Sequence, residues 1–143
     1  FTIFGDPRIA EFDDFEPITL AEAEQDVHGI VCGYASGEGG HEYAAEFIEH
    51  GLMVGVLCWI VEGDSAFIGF HFDHAYQGQG LASEAVRAFL PWLRESQGLR
   101  VAAVVDPANA PSIRLLERVG LQRVGERPTA DGTGIELVYR LDP

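Results

Sequence analysis

The stretch from Ser65 to Val105 constrains the fold more than any other part of this chain. A strand-like run, Ser65–Phe72, leads into the glycine-containing loop Gln77-Gly78-Gln79-Gly80. Helical spacing follows at once, with Leu81, Ala85, Phe89 and Leu93 on one stripe and Ala82, Val86 and Leu90 beside it. Arg87 and Arg94 fall on the opposite side, and Pro91, which has no N–H and crowds the preceding turn, predicts a kink. The run Val101-Ala-Ala-Val-Val105 is apolar throughout, as expected for a strand covered on both faces. A strand, a crossover helix and a doubly buried strand make a parallel pair, because only a crossover of this length lets the second strand run the same way as the first.

The flanks have a different pattern. Thr19-Leu-Ala-Glu22 has the form of a capping box, followed by Leu20, Ala23, Val27, Ile30, Val31 and Tyr34 at helical spacing. This predicts a helix from about Thr19 into the region 33–40, broken by the glycine-rich stretch 35–40. Three strands are predicted next, His41–Glu49, Leu52–Val61 and Ser65–Phe72. The short separators His50-Gly51 and Glu62-Gly63-Asp64 make them an antiparallel meander. Beyond the parallel unit, Asn109-Ala-Pro111-Ser112 opens a helix that Gly120 ends, and Leu121–Gly125 and Ile135–Leu141 close the sheet. The element order implies an α+β (mixed α/β) architecture, a mixed sheet with flanking helices, and 143 residues suit a single domain, 1–143.

Composition excludes several classes of function. The net charge of −14 opposes binding to a nucleic-acid backbone, which depends on cationic side chains displacing counterions. The excess lies in one half: residues 1–76 hold fifteen Asp and Glu against Arg8 alone, whereas residues 77–143 hold eight acidic residues and eight arginines. Such a field attracts a cationic partner, although the absence of any lysine is equally consistent with a compositional bias of the whole proteome. No run is long and apolar enough to span a bilayer, and the first residues lack a signal-peptide pattern. Cys32 and Cys58 have no metal or disulfide spacing and read as reduced buried thiols, which implies a cytoplasmic protein.

Gln77–Ala82 carries the chemistry. Its glycines let a ligand approach the main chain, and the free N–H groups of the helix that follows suit a pyrophosphate even in an acidic protein. Two other readings remain at this point. One is a degenerate dinucleotide-binding fingerprint with Asp106 as the ribose-binding acid, although Ser83 stands where a third glycine belongs. The other is a glycine turn with no ligand.

The segment Gln77-Gly-Gln-Gly-Leu-Ala-Ser-Glu-Ala85 resembles the Q/R-x-x-G-x-G/A signature of the GNAT superfamily of N-acetyltransferases. The segment from Asp106 to Leu121 resembles the asparagine- and serine-containing segment of the RimJ/RimL-like branch of that superfamily. The resemblance covers roughly residues 5–141. It implies the GNAT fold, mostly antiparallel with a central parallel strand pair splayed around the pantetheine arm of acetyl-CoA. Gln77, Gly78, Gln79, Gly80, Leu81 and Ala82 would hold the pyrophosphate, Asn109 the pantetheine, and the main chain at Phe72 the acyl carbonyl. It also implies that Phe1-Thr-Ile-Phe4 is the tail of a first helix, with the first strand and most of that helix preceding the chain.

Transfer of an acetyl group to a primary amine needs a neutral amine, a polarised carbonyl and a proton for the departing thiolate. Many relatives place a glutamate where this chain has Phe67, and a tyrosine where it has Leu116. The resemblance to RimL-like enzymes implies Ser112 as the acid. His71, which alternates onto the face shared by Phe67 and Asp73, is the candidate base. Packing alone for His71, and a helix-start role alone for Ser112, stay open. Tyr139 is a second polar candidate, and Arg114 and Arg118 either reach a nucleotide phosphate or solvate a helix face. His74 alternates away from His71 and Asp73, so no metal is expected. The acceptor would be an amine, cationic if the acidic half is functional: a protein N-terminus or a small molecule. GNAT domains often form homodimers through their C-terminal strands, a matter on which Ile135–Leu141 is silent. A non-catalytic acyl-CoA-binding module is the alternative, since the common glutamate and tyrosine are absent.

Overall fold

The structure is a computed structural model in which residues 1–12, 15–36 and 41–142 are described. The elements are α1 (Pro7–Ala10), α2 (Leu20–Ser36), β1 (His41–Phe47), β2 (Leu52–Glu62), β3 (Ser65–Phe72), a 3-10 turn at His74–Tyr76, α3 (Leu81–Gln97), β4 (Arg100–Val105), α4 (Ala110–Arg118), β5 (Leu121–Pro128) and β6 (Ile135–Leu141). The strands form one mixed sheet in the order β1-β2-β3-β4-β6-β5. β3 and β4 are parallel, whereas β4 with β6 and β5 with β6 are antiparallel. This is the α+β arrangement expected from the element order. By contacts the chain divides into two compact units, Phe1–Cys58 with Phe70–Gln79, and Trp59–Gly69 with Gly80–Pro143.

In the first unit, the capping box forms as the sequence implies. The Thr19 N–H donates to Glu22 Oε2 at 2.7 Å, and the Glu22 N–H donates back to Thr19 Oγ1 at 3.3 Å, so two orphan amides are satisfied and α2 begins. The glycines at 37–40, expected to break this helix, lie outside the described residues, as does the side chain of Cys32. Cys58 is half-buried and forms no disulfide among the described residues. The N-terminal residues make a helical turn, with the Gly5 N–H donating to the Phe1 carbonyl at 2.8 Å. α1 follows, a short helix with no counterpart in the sequence-based reading: Asp6 accepts from the Arg8 N–H and Pro7 occupies the first turn. Ile3, Ile9 and Val56 bury together, with Phe4 and Phe15 packed against them.

In the second unit, α3 lays Val86, Phe89, Leu90 and Leu93 into the core, and Arg87 and Arg94 are exposed as expected. The helix continues through Pro91 to Gln97 and ends on Gly98 at φ 65°. β4 buries Val101, Ala102, Ala103 and Val105, which accounts for its unbroken apolar sequence. β1 stops two residues short of the expected Glu49, and β5 runs three beyond the expected Gly125, to Pro128. The extension follows a register shift between Arg123 and Gly125, after which pairing with β6 resumes.

The hairpin from β5 to β6 is closed by Asp131, which accepts from the Thr129 and Thr133 hydroxyls and from the Thr133 N–H. These bonds, Thr129 first, lower the Asp131 pKa from 3.8 to about 2. A depressed carboxylate contributes stability above its unfolded pKa and loses it as the pH falls towards the folded one. The Thr133 amide should therefore lose hydrogen-exchange protection as the pH drops from about 4 towards about 2. An Asp131→Asn variant should show no such acid transition; an unchanged profile would mean that the loop is held by other bonds.

Candidate active site

β3 and β4 pair at Ser65 with Arg100, Ala66 with Val101, and Phe67 with Ala102. The other edge of β4 stays paired with β6 from Ala102 to Val105.

The loop after β3 is shaped by its own side chains. Asp73 accepts from the Ala75 N–H at 2.9 Å and starts the 3-10 turn. Gln77 Nε2 donates to the Phe72 carbonyl at 3.0 Å, and Gln79 Nε2 to the Ala75 carbonyl at 3.2 Å. Both glutamines thus fold back onto preceding backbone, anchoring the loop. Gly78 and Gly80 take φ of 74° and 85°, a left-handed conformation that costs glycine little, and a Cβ built at either would meet no heavy atom within 4 Å. Gly80 is the N-cap of α3 and supplies no side-chain cap, so the first-turn N–H groups are left for an outside acceptor at the positive end of the helix dipole. Leu81 and Ala82 occupy that first turn and are half-buried.

Asn109 and Ser112 come together at the start of α4. Asn109 is the N-cap, its Oδ1 accepting from the Ser112 N–H at 3.1 Å. The capping role weighed for Ser112 thus belongs to Asn109, and the Ser112 hydroxyl stands outside the cap. Asp106 accepts from the Ala108 N–H at 2.6 Å, a turn that shapes its own loop. Tyr139 is 2% exposed and its hydroxyl donates to Glu117 Oε1 at 3.3 Å; burial first, then the Glu117 charge, raises its pKa. Arg114 and Arg118 are exposed on α4.

His71 and Phe72 lie in the first unit. The His71 ring is half-buried and packs against Phe4 and Phe15, with centroids 5.4 and 5.6 Å away. Phe72 is buried against Gly55, where a Cβ would fall 2.5 Å from the Phe72 ring. A glycine inside an apolar strand is a signal of such close approach, but the sequence does not say which side chain needs the space. Among the described residues there is no cluster of three or more His, Cys, Asp or Glu suited to a metal ion.

Arg127 has no signal in the sequence. Its guanidinium lies over the Phe67 ring, 5.0 Å from the centroid, while Nε donates to Glu136 at 2.9 Å and NH1 to Glu62 at 3.3 Å. The Glu136 bond is the main cause of its raised pKa. One side chain on β5 thus ties β6 and the end of β2 to Phe67 of β3. Because the pairs are partly exposed, Arg127→Ala should cost only about 1 kcal/mol in urea unfolding. Arg127→Lys should recover part of that loss, because it keeps the charge without the planar fork.

Residues 1–122 match the profile of the acetyltransferase (GNAT) domain. The uncharacterized N-acetyltransferase YnaD of Bacillus subtilis is 39% identical over 59 residues, 41% of this chain and 35% of that protein. The uncharacterized N-acetyltransferase p20 of Bacillus licheniformis is 25% identical over 126 residues, 85% of this chain and 71% of that protein. The YnaD match thus spans about a third of that relative's length.

Among solved structures, a GNAT-family acetyltransferase from Bacillus anthracis superposes with a TM-score of 0.84 at 22% identity, over 98% of this chain and 84% of that one. Mycobacterium smegmatis RimJ in complex with CoA-disulfide gives 0.78 at 21% identity, over 94% of this chain and 70% of that one. AAC(6')-Ib in complex with ribostamycin and coenzyme A gives 0.77 at 22%, over 96% and 83%. At these identities the structures establish the fold, and the domain match across most of the length establishes the family. The chain belongs to the GNAT family of acetyltransferases.

Proposed function

We propose that this protein is an N-acetyltransferase that moves an acetyl group directly from acetyl-CoA to a primary amine. The observation that carries the reading is the uncapped start of α3, where Gly78 and Gly80 hold left-handed backbone and leave the first-turn N–H groups to an anion. Gln77 to Ala82 would bind the pyrophosphate through main-chain groups, and the pantetheine would enter between the parallel strands β3 and β4, with Asn109 bonding to it. The main chain at Phe72 would bind the acyl carbonyl.

In the reaction the lone pair of a neutral amine attacks the thioester carbon and the C–S bond breaks. As the thiolate leaves it takes the proton of Ser112 Oγ, the nitrogen loses its extra proton to His71, directly or through water, and the proton taken up by His71 is returned through water to the Ser112 oxygen. Ser112 suits the acid role because Asn109, not Ser112, caps α4.

A cationic acceptor is favoured by the acidic first half of the chain, where fifteen carboxylates face one arginine in residues 1–76. A protein N-terminus, as in a RimJ/RimL-like branch, and a small polyamine or aminoglycoside share that chemistry. The likeness to RimJ and to AAC(6')-Ib supports both without separating them.

Thioester consumption with acetyl-CoA and a panel of basic N-terminal peptides, spermidine and kanamycin tests the proposal. Turnover with any of these supports it. Acetyl-CoA binding without turnover over a broad amine panel would favour the non-catalytic acyl-CoA-binding module, and no binding by folded protein would overturn both.

A further inference from the structure

The second unit contains a cavity of about 510 Å³ that the transfer reaction does not use. Its wall on α3 is a single helical stripe, Arg87, Leu90, Pro91, Arg94 and Glu95, and Leu141 at the end of β6 contributes to the apolar side. At 1.5 Å per residue, the wall runs from about 9 Å along α3 from Leu81, at Arg87, to about 21 Å, at Glu95, so the cavity lies along the middle and C-terminal part of the helix.

Its chemistry is specific. Leu90, Pro91 and Leu141 give it apolar lining, and Arg87 and Arg94 line it with two guanidiniums. Arg87 already donates to the Arg118 carbonyl at 3.2 Å, which fixes its head at the end of α4, whereas Arg94 has no ion pair among the described residues. Pro91 cannot donate to the Arg87 carbonyl, so that oxygen lacks its usual intrahelical partner. Glu95 is the one acidic residue of the lining, which leaves a net charge of one positive unit. The volume falls within the roughly 300–1,000 Å³ of small-molecule sites, which combine apolar walls with a few placed polar groups.

We infer that this cavity binds a small monocarboxylate with an apolar body. The body covers Leu90, Pro91 and Leu141, and the carboxylate pairs with Arg94 and Arg87 in the two-pronged geometry that guanidinium favours. A dianion is disfavoured because its second charge meets Glu95, and a neutral isostere because it leaves the guanidiniums unpaired.

Calorimetric titration with sodium benzoate, compared with benzyl alcohol and inorganic sulfate, tests the assignment on the whole chain. Benzoate should bind at least about tenfold more tightly than either comparator. Arg94→Gln, an exposed change outside the proposed transfer machinery, should weaken benzoate about tenfold and leave acetyl-CoA affinity unchanged. Saturating acetyl-CoA should not displace benzoate. No benzoate binding to folded protein, equal affinity for benzyl alcohol or sulfate, displacement by acetyl-CoA, or unchanged affinity in both Arg94→Gln and Arg87→Gln would each overturn the inference. None of these outcomes depends on whether the protein acetylates an amine.

Discussion

A Gly80→Asp variant is expected to lose acetyl-CoA binding by at least about a hundredfold while remaining folded. A carboxylate at this N-cap would lie beside the N–H groups proposed to hold the pyrophosphate. Two like charges about 4 Å apart repel by roughly 4 kcal/mol at a protein surface, more than the 2.7 kcal/mol or so that a hundredfold loss requires. Folding should survive because a Cβ at Gly80 meets nothing within 4 Å, and because aspartate tolerates positive φ better than most residues. Gly80→Asn is the control: equal in size and backbone demand but uncharged, it should retain most of the affinity. Calorimetric titration with acetyl-CoA, beside thermal melts of all three proteins, reads the result. If Gly80→Asp binds as tightly as the parent, the pyrophosphate does not sit at this helix start and the proposed cofactor site is wrong.

Gly55→Ala should destabilise the protein by about 1–3 kcal/mol, the range for forcing extra carbon into a filled core. The added methyl would fall 2.5 Å from Cδ1 and 2.6 Å from Cε1 of Phe72, whose ring is 5% exposed and lacks the freedom of a flexible chain end. Relief requires the Phe72 ring to move, and with it the end of β3, where the Phe72 carbonyl receives Gln77 Nε2. The lesion should therefore reach the glycine loop through that bond and weaken acetyl-CoA as well as lowering the melting temperature. Gly55→Ala with Phe72→Leu should restore part of the stability because the planar ring is gone. A single variant as stable as the parent would mean that β2 and β3 slide apart more easily than their packing indicates.

These two positions differ in how they could be found. The glycine loop is legible because its determinants are adjacent in the chain: a strand end, two glycines and an amphipathic helix within twenty residues or so. The Thr19–Glu22 cap is legible for the same reason, being a bond between residues three apart. Asn109 was expected to touch pantetheine and Ser112 to lie beside it; the cap that fixes their spacing emerged from the backbone at Ala110 and Pro111. α1 went unseen because a four-residue helix has no periodicity to detect. The extra length of β5 went unseen because a register shift breaks the strand alternation at Arg123–Gly125.

The element order, the parallel crossover and the glycine-loop signature were determined by the sequence itself, since hydrophobic period, turn residues and caps act over a few positions. Only the tertiary structure decided which distant groups meet. Arg127 finds Glu62, 65 positions away, and covers Phe67; Gly55 makes room for Phe72; Arg87 and Arg94 share a cavity with Leu141. Side-chain reach is only several ångströms, so such contacts are set by how the strands and helices pack, a result of the whole chain's burial that no local pattern encodes.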